Sequence, residues 1–256
     1  MASCVKLGSS WLLPAVGFVF LVLTRAISEV SFALARPVYE SFRALDSDGS
    51  YLLISVHHVL QGIFALLAIL ILSRILHMPL REFGFNFDEW QYAVRLVLRA
   101  SCCWFLVQGL AGAWMVSRGY ASAAFSFPKT VRNVISCFAF QILLSGTSEE
   151  LLFRAMVMTP LLWYGQRAGL SKKAGAWLAW GVATLIFMAA HINIALHPLR
   201  ITHFNILQQL TVFIFGSFYA FLFVKTRSLA GPMLAHNVLN GVIVVVGLVL
   251  FEIFGR

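Results

Sequence analysis

The chain has 256 residues, 60% of them hydrophobic and only 11% charged, with a mean hydropathy of +0.86. Those fractions exclude a soluble globular domain, where apolar content sits near ~45–50% and charge near ~25%. The formal net charge is +9, but the basic residues lie mainly between apolar runs, as Arg167, Lys172, Lys173, Lys225 and Arg227 do, which marks loops kept on the cytoplasmic side and not a nucleic-acid surface.

An all-α polytopic membrane bundle is therefore expected, and at roughly 20 apolar residues per span the length allows about seven spans, with six to eight possible. The first apolar run covers residues 11–35. Its Ala33-Leu34-Ala35 resembles a signal cleavage site, yet Arg25 and Glu29 interrupt the run and it is long for a signal, so it reads as an uncleaved span. Arg25 and Glu29 are four apart and form an ion pair at a span's end. A polar loop with Asp46, Asp48 and Gly49 leads to the second span, 51–75, whose adjacent His57 and His58 point to different faces and read as core. Residues 79–99 form an amphipathic interfacial piece ahead of the third span, 100–116. The fourth segment is longer, 131–164, and the fifth covers 174–194. His197 and His203, with Pro198 and Arg200 between them, fall in a solvated loop before the sixth span, 206–224, and the seventh, 231–253. Cys4, Cys102, Cys103 and Cys137 form no C-x-x-C pair and read as small packing residues. Residues 1–256 make one integral membrane domain, and the balance of Lys and Arg on alternate sides places the amino terminus in the cytoplasm.

The fourth segment holds the charges that do not belong in a membrane: Ser145-Gly146-Thr147-Ser148-Glu149-Glu150-Leu151-Leu152-Phe153-Arg154. Three ionisable residues within one stretch cost ~7–10 kcal/mol by simple addition on insertion scales, offset only by pairing or by a wet cavity. Glu150 and Arg154 are four apart with the acid first, the favourable order for a pair. Glu149 lies about 100° round the helix, unclaimed, and is a candidate general base. Phe187 and His191 share a face of the fifth span, and His236 and Asn240 share a face of the seventh. Together these residues supply a base, a proton shuttle and neutral donors for an oxyanion, the inventory for hydrolysing an acyl bond with water.

The ordered set Glu149-Glu150-x-x-x-Arg154, Phe187-x-x-x-His191 and His236-x-x-x-Asn240 resembles the three motifs of the CPBP family, the CAAX-protease and bacteriocin-processing (abortive-infection-like) membrane proteins that include the type II CAAX prenyl endopeptidase. Gly216 and Thr226-Arg227-Ser228-Leu229 fit the same context, and the resemblance covers residues 141–241. It implies a glutamic intramembrane endopeptidase: Glu149 activating water with help from His191, His236 and Asn240 stabilising the oxyanion, and Glu150, Arg154 and Phe187 in support. Its substrate would be a membrane-associated peptide or protein, with or without a lipid. No cofactor is expected. Zinc on Glu149, His191 and His236 is the minority alternative, since H-E-x-x-H is absent.

One condition attaches to this reading. The fifth and seventh spans run parallel, yet His191 falls late in its helix and His236 early, a naive depth difference of roughly 15–20 Å. The two can meet only if the fifth helix starts late or tilts, or if the stretch after His191 is re-entrant. Two other classes of function stay open: a non-catalytic membrane scaffold or bacteriocin-immunity-type protein of the same fold, and a small transporter using Glu149 and His191 as a proton relay. The short chain points to a bacterial cytoplasmic membrane. Substrate identity and oligomeric state are not legible.

Overall fold

A computed structural model describes residues 12–119, 127–196 and 198–254. Cys4, Trp11 and His197 lie outside these described residues. Among the described residues seven helices follow in order: α1 (Leu12–Ser41), α2 (Leu52–Leu76), α3 (Trp90–Ser117), α4 (131–167), α5 (Lys172–Ala190), α6 (Ile206–Thr226) and α7 (Ala230–Phe254). Among the described residues six helices, all but α4, are long and apolar enough to cross a membrane, which marks an integral membrane protein.

α4 is the centre of the bundle. From Leu152 to Leu162 every residue is buried, because α1, α2 and α5 pack against this stretch, while α7 packs against Gln141–Glu150 just before it. α4 is not a regular α-helix: α-helical Gly146–Glu150 sits between two π-helical stretches, Gln141–Ser145 and Leu151–Met158. Widened turns of this kind collect at functional sites, since they re-aim side chains without ending the helix.

Three boundaries differ from the sequence expectation. α3 begins at Trp90, so residues 90–99 belong to the span and not to an interfacial piece. What precedes it is a 3₁₀ turn, Leu80–Phe83, whose Phe83 is fully buried. Asn86 Nδ2 donates to the Arg227 carbonyl at 2.8 Å and Leu229 N–H donates to the Gly84 carbonyl at 2.9 Å, which ties this turn under the α6–α7 connection. α5 stops at Ala190, with His191 as its C-cap. The chain then forms an antiparallel hairpin, β1 (Asn193–Leu196) with β2 (Leu199–His203), pairing Ile194 with Ile201. β-branched Ile194, Ile201 and Thr202 favour extended backbone. Finally, Arg25 and Glu29 do pair, at 2.9 Å, but well inside α1 and not at a span's end; Arg25 Nη1 also donates to the Ile192 carbonyl at 3.2 Å.

The polar loop between α1 and α2 is a built cap. Asp46, fully buried, accepts backbone N–H bonds from Ser50 (2.9 Å), Tyr51 (2.9 Å) and Leu52 (2.7 Å). Asn133 Nδ2, in the first turn of α4, donates to Asp48 Oδ2 at 2.8 Å. Burial pushes the Asp46 carboxyl up, but the Leu52, Tyr51 and Ser50 N–H groups and the Ser50 hydroxyl outweigh it, so its pKa lies below the ordinary value. A depressed folded pKa means that this stabilisation is present above the unfolded pKa and is lost as pH falls through the folded one. Asp46→Ala is expected to cost about 1–3 kcal/mol. Thermal unfolding in detergent should show the wild-type and variant midpoints converging as the pH drops below the carboxylate range, and a constant gap would contradict the cap.

Candidate active site

The geometry of α4 and α7 brings the two glutamates to His236. Arg154 Nε donates to Glu150 Oε2 at 2.8 Å, both side chains being fully buried, as the four-residue spacing predicts. The other oxygen of Glu150 faces His236 Nδ1 at 2.9 Å. His236 Nε2 then lies 3.8 Å from Glu149 Oε2. The imidazole thus stands between two carboxylates, held by Glu150 and turned toward Glu149. Tyr219 of α6 stacks on its face, with ring centroids 4.6 Å apart and planes inclined by 18°.

Close approach of α4 and α7 requires Gly146. A Cβ at that position would lie 2.6 Å from both His236 Cβ and Asn237 Oδ1, while the Gly146 N–H donates to Asn237 Oδ1 at 2.9 Å. Gly146→Ala is expected to destabilise by about 1–3 kcal/mol through overpacking and to push His236 off the glutamates. Measured together, the unfolding midpoint and any peptidase rate should both drop; an unchanged rate would show that the α4–α7 spacing does not set the site. Gly216 plays the matching part on α6, where a Cβ would lie 2.7 Å from the Phe187 ring.

Phe187 is the hub on α5. Its ring meets Phe153 at 4.9 Å, His191 at 4.8 Å and His236 at 5.9 Å edge to face, and the Arg154 guanidinium lies over it at 5.4 Å. The 15–20 Å depth mismatch between His191 and His236 is resolved by the depth at which α5 begins, since the helix itself starts at Lys172. From Glu150, α4 runs on for 17 residues to Arg167, about 25 Å, before α5 returns. α7 begins only six residues before His236, about 9 Å. The α4–α5 turn therefore reaches roughly 15 Å further along the bundle axis than the α6–α7 turn, and α5 arrives at the His236 level at its C-terminal end.

Glu149, His191, His236 and Asn240 line one cavity of about 560 Å³, with Gln141, Ser145 and Tyr219. A second cavity of about 1120 Å³, between α1, α2 and α5, is walled by Phe18, Leu21, Leu152, Phe153 and Ile186 and carries Arg25, Glu29 and His57. The two share Glu149, His191 and His58. Glu149 is 16% exposed and its Oε2 has no hydrogen-bond partner, so a carboxylate with spare capacity stands at the junction of a polar and an apolar chamber.

Two of the expected site residues are placed differently from their assigned parts. His191 Nδ1 pairs with the Phe187 carbonyl at 2.9 Å and, among the described residues, His191 makes no direct bond to Glu149. Among the described residues, the basic side chains within 4 Å of the Glu149 oxygens are His236 and His58, the latter with Nε2 at 3.9 Å from Oε1. Asn240 already gives its amide hydrogens to Gln141 Oε1 (2.9 Å) and Ser145 Oγ (3.1 Å). His58 is also a correction. Adjacency to His57 made it look like core packing, but it lines both cavities, and only the pairing of α2 against α4 reveals it. His203 is exposed and bonds Gln208 Oε1 at 3.1 Å, outside the cluster. Among the described residues no group of three or more His, Cys, Asp or Glu side chains is arranged to hold a metal ion.

No curated protein and no solved structure matches the chain. A family model does: residues 131–242 match that of the type II CAAX prenyl endopeptidases, Rce1-like. The matched stretch contains Glu149, Glu150, Arg154, Phe187, His191, His236 and Asn240 and leaves out α1, α2 and α3 with His58. Over residues 131–242, then, this chain carries an Rce1-like type II CAAX prenyl endopeptidase domain of the CPBP family.

Proposed function

We propose that the protein is an intramembrane endopeptidase that hydrolyses a peptide bond of a membrane-associated or lipidated peptide with a glutamate-activated water. The observation that carries this reading is the Glu149 carboxylate, unpartnered at Oε2 and set at the junction of the two cavities. A base must have a free lone pair within reach of both water and substrate, and the other acid of the pair, Glu150, has both oxygens committed.

In this reading Glu149 takes a proton from water as the oxygen adds to the scissile carbonyl, and His191 orients that water from the α5 side. The oxyanion is met by His236, held by Glu150 through Nδ1 and presenting Nε2 toward Glu149 and the cavity. Asn240 joins it by exchanging Gln141 Oε1 for the substrate oxygen. Collapse of the tetrahedral species breaks the C–N bond, and the proton held at Glu149 passes to the leaving amine. Glu150, Arg154 and Phe187 keep the imidazole in place. The larger, apolar-walled cavity suits the hydrophobic part of the substrate, which reaches Glu149 from between α1, α2 and α5.

Peptide termini from membranes expressing wild type or Glu149→Gln at equal levels, with and without a chelator, test this directly. New termini that depend on Glu149 and ignore the chelator are expected. Identical termini in both membranes would overturn the endopeptidase reading.

A further inference from the structure

We propose that His58, from the helix α2 outside the family-matched stretch, is part of the reaction machinery and acts through Glu149: it takes over the proton that Glu149 abstracts from water. The inference rests on the endopeptidase reading and adds a residue to it.

The proposed step uses the tautomer in which Ser148 donates its hydroxyl hydrogen to the Ser145 carbonyl at 3.2 Å, while its oxygen receives Nδ1–H of His58 at 2.6 Å and Nε2–H of Gln61 at 3.5 Å. In the neutral ring this leaves Nε2 without a proton, and Nε2 is the atom that faces Glu149 Oε1 at 3.9 Å. A bare imidazole nitrogen opposite a bare carboxylate oxygen gains nothing at rest. It becomes favourable once Glu149 is protonated, because the new O–H then has an acceptor in line. The gap is longer than a hydrogen bond, as resting catalytic pairs often are before substrate tightens them. His58 is 6% exposed and clamped by Phe140 at 4.9 Å and His57 at 5.1 Å, so it cannot swing away.

The step balances. Water gives its oxygen to the carbonyl carbon and one proton to Glu149. That proton moves to His58 Nε2, leaving a Glu149 carboxylate beside an imidazolium still bonded to Ser148 through Nδ1. When the C–N bond breaks, the proton returns through Glu149 to the amine nitrogen, and His58 is neutral again. One water is consumed and no net charge is created in the site during the transfer. The groups facing this pair are His57 on α2, Glu150 with Arg154 on α4, His191 on α5, Tyr219 on α6 and His236 on α7. Arg25 and Glu29 of α1 face His57 across the larger cavity.

Two substitutions separate this role from a structural one. Asparagine places an amide nitrogen near the position of Nδ1, so His58→Asn keeps the Ser148 bond and removes the Glu149-facing atom. Glutamine places its amide near Nε2, so His58→Gln does the reverse and carries no proton. With a peptide that wild type cleaves and Glu149→Gln does not, kcat/KM is measured against pH for both variants. His58→Asn should unfold at the wild-type temperature, lose at least about tenfold in kcat/KM, and show an acid limb displaced from that of wild type. His58→Gln should show the same displaced limb. A wild-type pH profile in His58→Asn would overturn the proposal, and so would unfolding of both variants, which would make His58 a packing residue. Cleavage by Glu149→Gln would instead remove the endopeptidase reading itself, a result obtained before either His58 variant is examined.

Discussion

Glu149→Gln is expected to lower the peptidase rate by about 10²–10⁴-fold, the range for loss of a general base, while leaving the unfolding temperature equal to or above that of wild type. The second half of the expectation is the discriminating one. Glu149 sits next to the ionised Glu150, accepts no close hydrogen bond at Oε2 and approaches His58 and His236 only at 3.9 and 3.8 Å. Neutralising it removes a like-charge repulsion and breaks no short bond. Were the acidic pair a structural lock between α4 and α7, the same change would destabilise the bundle. A purified Glu149→Gln protein that melts well below wild type would therefore contradict the site as described, whatever its activity.

Arg154→Ala should do the opposite. Arg154 and Glu150 are both fully buried, joined at 2.8 Å, and the second oxygen of Glu150 holds His236 at 2.9 Å. Deleting one partner leaves an uncompensated carboxylate in the middle of the most buried helix, a loss of about 3–5 kcal/mol. It also removes the guanidinium from the Phe187 face and empties a volume bounded by Met158. Unfolding in detergent, followed by tryptophan fluorescence, should show a large fall in stability with loss of activity as a consequence. Wild-type stability in Arg154→Ala would mean that the pair is not buried as the structure places it.

The contrast between these neighbours was half legible in the sequence. The Glu150–Arg154 pair follows from a spacing of four on a helix, and the π-helical turn after Glu150 does not disturb it. The convergence of Glu149, His191, His236 and Asn240 on one cavity was expected from polar islands in separate apolar spans, because each needs a reason to be there. The protrusion of the α4–α5 turn was not expected. It depends on where α5 begins in depth, and Ser171-Lys172-Lys173 reads equally well as a turn at any level. The hairpin after His191 was hidden because Ile192-Asn193-Ile194-Ala195-Leu196 continues an apolar run that a helix could also use. His58 was hidden for a different reason. Its function lies in Ser148 and Glu149 across the α2–α4 contact, and nothing in the stretch Ser55–His58 distinguishes a histidine facing a carboxylate from one facing a phenylalanine. Interhelical partners of this kind need coordinates.

The most direct measurement is single-turnover cleavage by the purified, reconstituted protein in ¹⁸O-labelled water, with mass analysis of the released peptide and of the fragment containing Glu149. If Glu149 activates water, the new carboxyl terminus carries one labelled oxygen, Glu149 carries none, and Glu149→Gln yields no labelled product. Label appearing in the Glu149 carboxylate, or labelled product from Glu149→Gln, would contradict a glutamate-activated water.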